Sequence, residues 1–154
     1  MDPADFISLA LRLSNGAQES ELRTAISRAY YGAFHAARKL VEECGVRFPR
    51  KELLGADIHR KVRFCLARAG EEDIAFIVNR LDSLREQRNE ADYDLASDKF
   101  STAHSNNVKT NVRNAMQVVD ALQRCRTEPA FHALREKVRT YARDILRLPV
   151  ENGD

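Results

Sequence analysis

Apolar residues recur every three or four positions along most of this chain, and a few breaks divide the pattern. The breaks fall at Gly16, 45–55, Gly70, 94–101 and 127–129, leaving six segments of helical period. The first, 3–14, carries Phe6, Leu9, Ala10 and Leu13 on one side; Asp2 suits the N-cap and Pro3 the first helical position. The second, 19–44, repeats Leu22, Ile26, Ala29, Ala33, Ala37, Leu40 and Cys44 and stops at Gly45. Its alanines let a neighbouring helix approach closely. The third, 57–69, is short and ends at Gly70. The fourth, 71–93, has an inward stripe of Ile74, Ile77, Leu81, Leu84, Arg88, Ala91 and Leu95. The fifth, 101–125, turns Val108, Val112, Ala115, Val119 and Leu122 inward, and the sixth, after 127, carries Phe131, Leu134, Val138, Tyr141 and Ile145. The pattern predicts an all-α fold: an up-and-down bundle of about five helices plus a C-terminal sixth helix. The expected organisation is a bundle over 1–126, a C-terminal helix over 127–148 that packs on it or extends it, and a tail over 149–154.

Composition agrees with long helices. Only 6 of 154 residues are Gly and 4 are Pro, fewer turn residues than a sandwich or barrel needs. No apolar run is long enough to span a membrane, and the start has neither the basic region nor the apolar stretch of a signal peptide, so a cytoplasmic protein is expected. Three cysteines, at 44, 65 and 125, form no CxxC and no Cys/His cluster of metal spacing, which predicts reduced, buried thiols. Neither a metal nor a cofactor is expected: Glu-x-x-His, GxGxxG, a P-loop, HExxH and a nucleophile elbow are all missing from the sequence. Net charge is +2, but 21–70 carries +6 and 71–100 carries −5. Arginine supplies 19 of the 25 basic residues. This is either the codon habit of a GC-rich genome or a set of forks for phosphate and carboxylate.

Two features depart from a plain core. Arg88 occupies a stripe position where a bundle would place Leu, with Asp92 four residues on and Arg85 three before. These three are either an intrahelical pair that satisfies a half-buried charge, or a cationic cleft able to hold a phosphate. The second segment has a polar stripe of Thr24, Arg28, Tyr31, His35 and Arg38 opposite its core face, with Tyr30 at the border. Such a line either stacks bases and contacts phosphates or forms a helix–helix seam. His59 in the third segment is expected at the surface, His104 near the start of the fifth segment can face the end of the fourth, and His132 is isolated.

The run 27–40, SRAYYGAFHAARKL, resembles the second helix of the HEPN domain family, which often shows Tyr-Tyr-x-x-Phe-His-Ala there. The run 84–94, LREQRNEADYD, resembles that family's fourth-helix motif in an Arg-x-x-x-Asp-Tyr form. The likeness covers about 4–125. It implies a helical bundle that is commonly a homodimer. In active members an Arg and a His of the fourth helix meet across the dimer and cut RNA without metal; the Arg stabilises phosphate charge and the His moves protons. Asn89 after Arg88 fits the polar residue often found there.

The departure is at the motif histidine. Neither five to seven positions after Arg88 nor the same window after Arg85 contains one. Asp92 stands in the nearest comparable place, but a carboxylate is normally ionised at pH 7 and repels phosphate. Whether the chain is an enzyme is therefore left open. The resemblance implies a dimeric module of a prokaryotic toxin–antitoxin or defence system, pairing with a nucleotidyltransferase-like or other partner and binding RNA through Arg85, Arg88, Asn89, Arg28, Tyr31, His35 and Arg38. Tyr93 is the modification position it implies. The alternative is a metal-independent RNA endonuclease, with Arg88 and Asp92 catalytic.

Overall fold

A computed structural model of the chain describes residues 2–53, 55–68 and 72–151, except the side chains of Glu52, Glu72 and Asp73. The fold is all-α. The helices are α1 (Pro3–Leu13), α2 (Glu19–Glu43), the four-residue α3 (Arg50–Leu53), α4 (Asp57–Ala67), α5 (Glu72–Tyr93), α6 (Ser105–Arg124) and α7 (Ala130–Asp144). The six predicted segments correspond to α1, α2, α4, α5, α6 and α7. Of two short 3₁₀ turns, Asp98–Phe100 lies in the predicted break at 94–101 and Thr102–His104 at the start of the fifth predicted segment. Gly70, the expected stop of the third segment, lies outside the described residues. No helix among them is long and apolar enough to cross a membrane.

The ends of the helices follow from local chemistry. Asp2 caps α1: its side chain accepts from the Ala4 N–H at 2.9 Å, and Asp5 reaches back to the Asp2 N–H at 3.1 Å, completing a capping box. Glu21 does the same for α2, accepting from the Gln18 N–H at 3.0 Å. α2 closes with a Schellman turn. The Gly45 N–H donates to the Glu42 carbonyl at 2.9 Å and the Val46 N–H to that of Val41 at 3.4 Å. Gly45 takes φ 91°, a left-handed value that favours glycine.

Backbone contacts group the chain into two compact units, Met1–Ala36 with Asn79–Asp120 and Ala37–Val78 with Ala121–Asp154. In the first unit, Gly32 lets α1 lie close on α2: a Cβ added there would stand 2.6 Å from Ile7 Cδ1 and 2.8 Å from its Cγ1. Gly32→Val is expected to cost about 1–3 kcal/mol by overpacking, more than the small gain in helix propensity returns. Thermal melting would show this as a Tm several degrees lower.

In the second unit α4 packs on α7, with Ile58, Val62, Leu134 and Val138 buried. Residues expected as a tail are tied in. The Arg47 N–H donates to the Pro149 carbonyl and the Glu151 N–H to that of Gly45, both at 2.8 Å. Cys44, Cys65 and Cys125 are buried and form no disulfide; burial pushes the Cys44 and Cys65 thiols up to about 12.

Several stripe positions shift. α5 ends at Tyr93, so Leu95 lies beyond it and is 79% exposed rather than inward. Ile145 lies just past α7 and is also exposed, and on α6 Val118 is fully buried where Val119 was expected. On α1 the buried side is Ile7 and Ala10, with Phe6, Leu9 and Leu13 half-buried, because the helix meets α2 at Gly32. His59 is half-buried rather than at the surface.

Candidate functional site

All the buried polar side chains found among the described residues lie in the first unit: Ser14, Arg23, Ser27, Arg88 and Asn111. Arg88 is the centre of the site. It is 8% exposed, and the α5 stripe that carries it also buries Leu81, Leu84 and Ala91. Its guanidinium carbon lies 5.3 Å from the centroid of the Tyr30 ring and 5.6 Å from that of Tyr31, both on α2. Arg88 also hydrogen-bonds the Tyr30 side chain. Its Asp92 partner is distant: Nη1 to Oδ2 is 3.9 Å. Asp92 accepts instead from the Ser27 hydroxyl, at 3.3 Å. The Arg88 Nε is buried with no hydrogen-bond partner among the described residues.

Such a cation is held mainly by aromatic faces. Each contributes about 0.5–2 kcal/mol, and none offers a lone pair to the Nε proton. Tyr30 shows how dry the place is. Burial raises its hydroxyl to about 12, against the lowering pull of Arg85 and Arg88, so it stays protonated through the physiological range.

Arg28 approaches the same aromatic group from its own turn of α2. Its guanidinium carbon is 5.5 Å from the Tyr31 centroid and 5.8 Å from that of Phe6 on α1. Its Nε too is buried without a hydrogen-bond partner among the described residues. The two guanidinium carbons therefore lie at most about 11 Å apart, both within 6 Å of one tyrosine centroid. The aromatic group continues through His35, stacked on Phe6 with centroids 5.3 Å apart and on Tyr31 at 6.1 Å. The helix-two stripe is thus a seam with α1 that leaves Tyr31, His35 and Arg28 half-buried, not wholly facing solvent.

Of the sequence-predicted residues, the structure brings together Arg28, Tyr31, His35, Arg88 and Asp92. Arg85 and Asn89 are exposed on α5. Arg38 belongs to the second unit, where it pairs with Glu42 at 3.4 Å. Tyr93 is 76% exposed. His104 braces a turn, with Nδ1 at 3.0 Å from the Ser101 hydroxyl and 3.1 Å from the Asp98 carbonyl oxygen. His132 is exposed on α7, in the second unit. No group of three or more His, Cys, Asp and Glu among the described residues is placed to hold a metal ion.

Sequence reasoning missed Phe6 as a site residue and missed Arg23 altogether. Arg23, 9% exposed, uses every N–H it has. Nε donates to Glu19 at 2.7 Å, Nη1 to the carbonyls of Ala91 at 2.9 Å and Asp94 at 3.0 Å, and Nη2 to those of Leu95 at 3.4 Å and Ser97 at 2.8 Å. It thereby fixes the C-terminal end of α5, just past Arg88 and Asp92. Arginine at a helix C-terminus also matches the macrodipole. The available signal was Arg23 itself, standing next to Leu22 at the start of a buried helix face.

The segment after α5 also holds a titrating group of that helix. Glu90 accepts from Lys99 at 3.0 Å and Ser97 at 2.8 Å, and these bonds, that of Lys99 first, hold its carboxyl below the usual 4.5. A depressed carboxylate stabilises the fold fully above its unfolded pKa and loses that contribution as pH falls through the folded value. Glu90→Gln is therefore expected to melt lower than the parent at neutral pH, with the gap closing below about pH 4.5 in a Tm series.

No protein-family model, curated protein or solved structure matches the chain.

Proposed function

We propose that this chain is a HEPN-like helical module that binds RNA phosphate through Arg28 and Arg88. On this reading it acts as a dimer beside a nucleotidyltransferase-like or other partner in a prokaryotic toxin–antitoxin or defence system. The observation that carries the binding role is the pair of guanidiniums beside Tyr31, each with a buried Nε that has no partner among the described residues. Each Nε is closed to solvent, so an anionic oxygen completes it only once the flanking rings shift, and charge-assisted bonds of this kind are the stronger class. Tyr31 and His35 put half-buried aromatic rings beside the two guanidiniums, and ring edges of this kind suit contact with an unpaired base. The paired order of the two motifs, on α2 and α5, supports the family reading. Exposed Tyr93 suits the modification that the resemblance implies.

Binding is better supported than cleavage. The groups recorded around Arg88 are Tyr30, Tyr31 and Asp92, and Asp92 is engaged by Ser27. None of them is a histidine. Fluorescence anisotropy with a short single-stranded RNA tests the reading. Affinity is expected to fall steeply with salt, and Arg28→Met to lower the log–log slope by about 0.7, the single-strand value for one lost phosphate contact. Binding that ignores salt, or no binding at low salt, would sink it. Cleavage in EDTA that disappears in Arg88→Met would favour the ribonuclease alternative.

A further inference from the structure

The first unit holds a second polar feature, a groove of about 470 Å³ lined by Ser83, Gln87, Lys99, Asn107, Thr110, Asn111 and Asn114. Its size suits a small ligand. Its chemistry is unusual for a surface that borders a helical core. Asn107, Asn111 and Asn114 follow one another at helical spacing on α6, and Ser83 and Gln87 do so on α5.

Asn111 is 6% exposed, and its orientation is settled by its neighbour. Its amide nitrogen donates to the Asn107 carbonyl at 3.0 Å and to Asn107 Oδ1 at 3.4 Å, so the nitrogen must point there. That leaves the Asn111 Oδ1 as an acceptor. The Thr110 hydroxyl gives its proton to the Asn106 carbonyl at 2.9 Å and keeps its lone pairs. Half-buried Gln87 and Asn114 have no bond to the rest of the described residues, and each offers one donor edge and one acceptor edge. The one charge, Lys99, is already paired with Glu90 at 2.9 Å.

We propose that this groove holds an unpaired nucleobase. A neutral ligand suits the lining, whose one cation is already paired. It must also present donors and acceptors side by side, because the free carboxamides do. Nucleobase edges meet both demands, and Asn and Gln pair bidentately with adenine. That the base belongs to an RNA strand rests on the RNA reading above; the chemistry of the groove does not.

The test uses the full-length ¹⁵N-labelled protein titrated with adenosine, and separately with a capped trialanine peptide. Adenosine should shift the side-chain NH₂ signals of Gln87, Asn111 and Asn114 saturably, and the peptide should not. Asn114→Ala, which breaks no side-chain bond among the described residues, should weaken adenosine about tenfold and leave the backbone spectrum unchanged. Unmoved signals, a response to the peptide alone, or undiminished binding by Asn114→Ala would each overturn the proposal. Adenosine has no phosphate, so this titration succeeds or fails independently of the Arg28–Arg88 site.

Discussion

Arg23→Met is expected to destabilise the fold by about 3–5 kcal/mol, lowering Tm by roughly 10 °C in chemical and thermal melts. The side chain serves four carbonyls and a carboxylate at once. Its methionine replacement fills the space over Phe100, whose centroid lies 5.2 Å from the guanidinium carbon, but offers no donor. The fully buried Ala91 carbonyl bond is the costliest to lose, since a buried acceptor without a partner costs about 1–3 kcal/mol alone. The other three carbonyls lie in a partly buried loop and recover some water. Arg23→Lys should restore only part of the loss: an ammonium has three donors and cannot fork across the same acceptors. Hydrogen exchange should place the damage at the end of α5 and in 94–99, with α7 unaffected.

Arg88→Met should behave in the opposite way. RNA affinity is expected to fall about 10- to 100-fold, the size of one or two charge-assisted bonds. Stability should change by no more than about 1 kcal/mol, and a rise is acceptable. The reason is the weak compensation of this buried cation. Its carboxylate is 3.9 Å away and already held by Ser27, so removing the guanidinium strands no buried charge. What is lost is contact with two aromatic rings and the bond to Tyr30; what is gained is relief from desolvation. A residue kept for structure would show the reverse pattern, a large Tm fall with binding unchanged.

Much of this was legible in the residue pattern, and the misses have physical causes. The helices were readable because each is amphipathic and closed by a cap or a break, as Asp2 and Gly45 illustrate. Arg88 stood out as a charge on an apolar stripe. The set Arg28, Tyr31 and His35 was visible as a second line on α2, but its contact with Phe6 was not. That contact depends on how closely α1 lies at Gly32, which is a tertiary distance. Leu95 was misread because a periodic stripe does not reveal where a helix stops. Here the stop is set by Arg23, 68 residues or more away in sequence from the carbonyls it binds. The Asn107–Asn111–Asn114 line escaped notice because apolar periodicity identifies valines and passes over the polar positions between them.

The most direct measurement is the Arg88 Nε–H resonance in the ¹⁵N-labelled protein, assigned by its loss in Arg88→Lys, while a short single-stranded RNA is added. The account predicts a saturable shift that tracks the RNA affinity and shrinks as salt rises. RNA that binds while this resonance stays still would contradict it, and would return Arg88 to the role of a buried cation held by tyrosines.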